Sequence, residues 1–268
     1  MKYMIGVDMG TTSTKAVLYD ENGKFIMKHN IGYDLHTPNV DVSEENPDEI
    51  FDAVLMTVKY IVRESGIAKE DIKFISLSAQ MHSLIAMNED NQRLTENITW
   101  ADNRANDYAD LIEKSYGGFE LYQRTGTPIH PMSPLSKIFW MRHKEPKIFK
   151  QTAMFADLKT YVLFQLYERF VIDYSLGSAT GMMNLEQLDW DNKALELLGI
   201  ERNQLPQLVP TTHVLTGMKK RYATLMGIDE QTPVIVGASD GVLSNLGVNS
   251  YQKGEVAVTI GTSGAIRT

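Results

Sequence analysis

There is no cysteine among the 268 residues. Disulfides and cysteine-held metals are therefore excluded, and a reducing cytoplasm is the expected setting. Basic residues are the minority charge: 26 Lys and Arg stand against 34 Asp and Glu, for a formal charge of -8. With no long basic run, the chain lacks the footprint of a nucleic-acid binder. No apolar run approaches the roughly 18 residues that a membrane helix needs, so no membrane span is expected. The opening MKYMIGVDMG holds one lysine and then Asp8, and lacks the apolar centre of an export signal. Two nucleotide-binding signatures are missing as well. Neither a G-x-x-x-x-G-K-[ST] loop nor a G-x-G-x-x-G turn occurs, which disfavours P-loop and Rossmann cofactor sites.

What is present is enough apolar residue for a full core, 43% of the chain. The length allows one large domain or two modest ones. Apolar runs at 3–8 and 15–20 read as strands. DENG then reads as a tight turn into a third strand, KFIMKHNIGY. The clearest helix follows. Asn46 suits its N-cap, Pro47 its first turn, and Glu49 completes a capping-box spacing. Ile50, Phe51, Val54, Leu55, Val58, Ile61 and Val62 recur at helical spacing, and Gly66 ends the run. DIKFISLSA reads as a strand, and SLIAMNEDNQRL as a strand and turn. Helices are expected near Asn103–Tyr116, Pro134–Lys144, Leu158–Tyr167 and Asp191–Leu198. TPVIVGASDG reads as a buried strand entering a loop, with a helix beginning near Asp240. GEVAVTIGTSGAIRT reads as a strand, a small-residue turn and a new strand. The order is a β-meander followed by mixed α/β, and the chain is expected to be part of a longer protein.

The first hairpin, VDMGTTSTKAVLYDENG, places chemistry in its turn. Gly10 lets backbone approach a ligand closely. Thr11, Thr12 and Ser13 offer hydroxyls and N–H groups to phosphate oxygens. Asp8 can hold magnesium through water, and Lys15 adds a positive charge. The bland reading is a Gly-Thr hairpin with a solvated aspartate. TIGTSGAI repeats the pattern, with Gly261, Thr262 and Ser263 in its turn. Two such turns in two sheets can pinch a triphosphate, as actin-like ATPases do.

SAQMHSL, TWADNRA and VGASDGVLSNLG narrow the resemblance. Together with the hairpin they are similar to the FGGY carbohydrate kinase family. TWADNR, RTGTPIHPMSPLSKI, SATGMMNL, GASDGVLSNLG and AVTIGTSGAIRT resemble its gluconokinase-like branch. The resemblance implies an α/β, actin-like ATPase (ribonuclease H-like) fold with a mixed sheet and flanking helices. It implies an N-terminal sugar-binding kinase domain at 1–250 and the start of an ATP-binding domain at 251–268. The implied reaction is ATP- and Mg2+-dependent phosphorylation of a small sugar or sugar acid, D-gluconate to 6-phosphogluconate. A xylulose or other ketose or polyol kinase is the alternative within the family. A non-catalytic actin-like nucleotide module is the alternative outside it. A homodimer is compatible with this reading.

The resemblance also implies roles, each beside a plainer one. Asp240 would accept the proton of the attacking hydroxyl, or cap a helix. Gln80, Met81 and His82 would line the polyol pocket, or Met81 would be core. Trp100, Asp102 and Arg104 would close the other wall, or Asp102 and Arg104 would form a surface ion pair. His130, between prolines, reads as a structural loop residue. Asp157 and Lys159 either cap a helix or face the cleft. The scattered methionines read as core filling.

Overall fold

The computed structural model describes residues 1–260 and 264–267. Its centre is a six-stranded sheet. Three antiparallel strands begin it: β1 (Tyr3–Met9), β2 (Ser13–Asp20) and β3 (Phe25–Gly32). The strand Ile72–Ala79 then adds parallel to β1, and Val234–Ser239 adds parallel to Ile72–Ala79. A short antiparallel strand, Val214–Leu215, closes that edge. The sheet is therefore mixed, as the meander-then-α/β pattern implied.

Alternation sets the inner faces. Ile5, Val7 and Met9 of β1 and Thr14, Ala16 and Leu18 of β2 point into the core. The hairpin between β2 and β3 is held by Asp20, whose Oδ1 accepts from the N–H groups of Asn22 (2.9 Å) and Lys24 (2.9 Å). Helix α1 (Pro47–Ser65) lies across β2 and β3 and buries the apolar stripe read from its spacing. Asn46 caps it by accepting from the Asp48 N–H at 3.0 Å, and Gly66 ends it in the left-handed region at φ 65°. Glu49 lines a surface cleft with Asp34 and Asp52.

The helices Pro134–Lys144 and Leu158–Tyr167 stand where their spacing placed them. The segment expected as Asn103–Tyr116 is a shorter helix, Asn106–Ser115. Gly117, at φ 70°, then breaks the chain into a second helix, Gly118–Thr125. Another short helix, Tyr174–Ala179, was not legible either. It exists because Asp173 Oδ1 accepts from the Ser175 N–H (2.9 Å), the Leu176 N–H (3.2 Å) and the Ser175 hydroxyl (2.6 Å). Ala257–Ile260 and Gly264–Arg267 pair as a separate two-stranded sheet. Among the described residues, no helix is long and apolar enough to cross a membrane.

Candidate active site

The three mutually parallel strands end along one edge of the sheet, where open α/β sheets place ligands. The register sets a row there. Lys15 stands opposite Asp8, Asp8 beside Ser78, and Ser78 beside Ala238, with Asp240 just beyond. Asp8, Lys15, Ser78, Asp240, Leu243, Ser244 and Arg267 line one cleft of about 580 Å³. Size does not single it out, since a cleft of about 610 Å³ lies among Tyr116, Arg124, Arg142 and Lys193. The convergence of carboxylates, hydroxyls and cations does.

Gly237 aims the last strand into this cleft. It sits at φ 71° within an irregularity of the ladder between Ile235 and Ala238. A Cβ there would lie 1.8 Å from the Leu77 carbonyl oxygen. Only glycine can bring the two backbones so close, and the irregularity leads into buried Ser239 and then Asp240, which lines the cleft.

Asp240 is the first residue of the helix Asp240–Gly247, but it is not the cap. Ser239 is, its side chain accepting from the Val242 N–H. Asp240 Oδ1 accepts from the Gly241 N–H at 2.6 Å. Partial burial raises its pKa, as does the Asp8 charge, while the Gly241 bond and Arg267 oppose them. The strand end is braced from below. Ser175 Oγ accepts from the Ser239 N–H at 2.8 Å, and Lys159 Nζ donates to the Ala238 carbonyl at 3.2 Å. Lys159 is itself buried and paired with buried Asp173 at 2.6 Å. Asp157 caps its helix by accepting from the Thr160 N–H at 2.7 Å, and burial pushes its carboxyl up to about 6. The cap-or-cleft alternatives are thus separated: Asp157 caps, and Lys159 lies under the site. Lys159→Met leaves Asp173 buried without its counter-charge. It is expected to destabilise the protein by about 3 kcal/mol, measured by denaturant unfolding.

The first phosphate-turn candidates divide. The Gly10 N–H donates to Ser13 O at 3.1 Å, and the Tyr33 hydroxyl donates to Gly10 O at 2.5 Å. Lys15 shares the cleft with Asp8. Thr12 lines the cleft of Asp34 and Glu49. The Thr11 hydroxyl donates to Gln80 Oε1 at 3.2 Å and accepts from Trp100 Nε1 at 2.9 Å. Gly261, Thr262 and Ser263 of the second turn lie outside the described residues.

The polyol wall also divides. His82 has φ 63°, a sparsely populated conformation for a side-chain-bearing residue that commonly marks functional positions. The Ala179 carbonyl accepts from its Nδ1 at 2.8 Å, which assigns Nε2 as the acceptor nitrogen. Burial, with the Lys137 charge, pulls the imidazole down to about 4, so it is neutral near pH 7. Lys137 is wholly buried and donates to the carbonyls of His82 (2.6 Å), Ile98 (3.3 Å) and Thr99 (2.7 Å). Sequence reading missed it, although a lysine inside an apolar helix face is a signal. Met81 packs on the core, its Cε near Gly241. Trp100 is 41% exposed and available to a ligand.

Two expectations need correction. Asp102 is fully buried and not on the wall. Its Oδ2 accepts from the Ser43 N–H at 2.8 Å, and both its oxygens take bonds from Arg104. Arg104 also pairs with Glu44 at 2.6 Å and lies 5.3 Å from the Trp140 ring centroid. The pair is neither a surface bridge nor a ligand wall; it is an internal clamp that ties Asp102 to Ser43 and Glu44. Gln80, likewise, is buried and gives its amide to Glu45 at 2.7 Å. His130 is exposed, and its carbonyl accepts from the Ser133 N–H and hydroxyl, as a loop residue should. Arg267 and Ser78 joined the cleft without any signal in spacing; Ser78 donates to Asp8 Oδ1 at 2.6 Å.

Residues 3–247 match the family model described as the FGGY family of carbohydrate kinases, N-terminal domain. The chain belongs to that family. It is 53% identical to the gluconokinase of Bacillus subtilis over 99% of this chain and 52% of that protein. It thus spans about half the length of the curated relatives it matches. A crystal structure of gluconate kinase from Lactobacillus acidophilus superposes with a TM-score of 0.96 at 41% identity, covering 100% of this chain and 54% of that one. A ligand-bound xylulose kinase from the same organism superposes equally, with a TM-score of 0.96, 41% identity and the same coverage. The fold is that of the FGGY sugar kinases, an actin-like ATPase fold, and residues 3–247 correspond to its N-terminal domain.

Proposed function

We propose that this chain carries the acceptor site and catalytic base of an ATP-dependent FGGY kinase that phosphorylates D-gluconate. The observation that supports it most is the Asp240 carboxylate. It stands at a strand end, relieved of capping by Ser239, in one cleft with Asp8, Ser78 and Lys15. Phosphoryl transfer needs a group to take the acceptor proton and charge to hold the phosphates, and this row supplies both types. Asp240 would accept the hydroxyl proton, its raised pKa improving it as a base. The neutral His82 would accept a hydrogen bond from a second hydroxyl through Nε2, and Trp100 would present its ring to C–H groups. Lys15 would face the phosphates.

The oxygen donors at Asp8 and Ser78 suit magnesium held mainly by water and phosphate. Asp8 would hold the ion, which supplies charge neutralisation to the phosphates. The domain boundary is proposed near residue 250, with the adenosine site beyond this chain.

Gluconate is preferred here over xylulose because the gluconokinase relative shares 53% of residues. The structural neighbours bear both names, so the acceptor is decided by measurement. On the full-length protein, kcat/KM for gluconate is expected to exceed that for xylulose by at least about tenfold, since unmatched polar groups separate substrates strongly. A higher efficiency on xylulose would overturn the acceptor and leave the kinase reading in place.

A further inference from the structure

Glu45 lies in a two-residue strand, Glu44–Glu45, paired with Asn97–Ile98. It is wholly buried. Its Oε2 accepts from both Gln80 Nε2 (2.7 Å) and Asn97 Nδ2 (2.8 Å). Its Oε1 is buried without a partner. Two donors on one oxygen and none on the other is the pattern of a neutral carboxylic acid. Oε2 is then the carbonyl oxygen, and Oε1 carries the proton. A bare anionic oxygen in a dry site costs more than an unpaired hydroxyl.

The consequences run outward. With its amide nitrogen committed to Glu45, Gln80 must present Oε1 to Thr11. Thr11 therefore donates to Gln80 (3.2 Å) and uses a lone pair to accept from Trp100 Nε1 (2.9 Å). Each link dictates the direction of the next. The chain joins residues 45, 80, 11 and 100, which lie on four separate segments of the sequence.

We propose that Glu45, as a neutral acid, is a positioning residue that locks the first hairpin turn to Trp100 by orienting the Gln80 amide. It deepens the reading of Thr11 and Trp100 as parts of the kinase site, and it touches neither substrate. Burial pushes Glu45 up to about 7, opposed by the Asn97 and Gln80 bonds, in keeping with the geometry. Among its neighbours, Glu44 is turned to Arg104, and the Tyr33 hydroxyl donates to Gly10 O. Burial raises the pKa of Tyr33, opposed by its bond with Thr14, and the Asp8 charge adds to the rise.

The test uses the tryptophan indole N–H resonances of the labelled protein, with Trp100 assigned by Trp100→Phe. Glu45→Leu should move the Trp100 resonance and leave Trp190, which donates to Pro206 O, in place. Glu45→Gln should leave both where they are. Its amide oxygen takes the role of Oε2, and its NH2 that of the protonated Oε1. Thermal midpoints give a second reading. A carboxyl raised on folding adds stability below its unfolded pKa and loses it as pH rises through about 7. Glu45→Gln should therefore match wild type at about pH 5 and exceed it at about pH 9. This arm stands even if Glu45→Leu does not fold. A Trp100 resonance unmoved in Glu45→Leu would overturn the proposal. So would a Glu45→Gln variant that moves it, or one less stable than wild type at the higher pH. None of these readings needs sugar or nucleotide, so a failure of the kinase assignment would show separately, as absent turnover.

Discussion

Asp240→Asn is expected to lower the turnover of the full-length kinase by ~100- to 10,000-fold, the range for loss of a general base. Sugar and nucleotide affinities should stay within a small factor, and so should the thermal midpoint. The structure makes the second half firm. Ser239, not Asp240, accepts from the Val242 N–H and caps the helix. An asparagine can still accept from the Gly241 N–H, as Asp240 Oδ1 does at 2.6 Å. What the amide cannot do is take a proton. The two readings of this aspartate predict opposite patterns. A base loses kcat and keeps stability, whereas a cap loses roughly 1 kcal/mol of stability and keeps kcat. Measuring kcat beside the thermal midpoint separates them. A kcat within a factor of a few of wild type would move the base to another residue.

Gly237→Ala should be the most damaging single-methyl change in the domain. The added Cβ would fall 1.8 Å from the Leu77 carbonyl oxygen, which belongs to a central strand and has no room to retreat. The residue would also have to hold φ 71°, which alanine resists. Overlap and strain act together, and a loss of roughly 5 kcal/mol or more is expected, enough to unfold a domain of ordinary stability. Gly6→Ala is the control, because a Cβ there meets nothing within 4 Å. Expression and urea unfolding of the two variants check this. A Gly237→Ala protein as stable as Gly6→Ala would mean that the bulge is not required.

Local grammar was legible, and long-range commitment was not. Asn46, Pro47 and Gly66 mark α1 because capping and left-handed termination are local events. The β-hairpin at Asp20–Lys24 was legible for the same reason. Asp8 and Lys15 were singled out from turn chemistry and Asp240 from the family resemblance, and the three line one cleft. Asp102 and Gln80 were read as facing ligand, yet each is buried and bonded inside the protein. Their partners, Ser43 and Glu45, lie 59 and 35 residues away in sequence. No spacing rule reports such bonds. The helix Tyr174–Ala179 escaped notice because Asp173 holds it in place, and Asp173 is held in turn by Lys159. Lys137 escaped because a lysine in a helix is ordinarily solvated, whereas this one ends on three backbone carbonyls.

Asp240 is proposed to meet the reacting hydroxyl of a sugar acid at the strand-end cleft. A crystal structure of the full-length protein with D-gluconate bound tests it most directly. The 6-hydroxyl is expected within about 2.6–3.2 Å of an Asp240 carboxylate oxygen, the reach a general base needs. His82 Nε2 is expected to accept from a second hydroxyl, with the Trp100 ring against the carbon chain. Gluconate bound in that cleft with its 6-hydroxyl turned away from Asp240, or bound in a different cleft altogether, would contradict it.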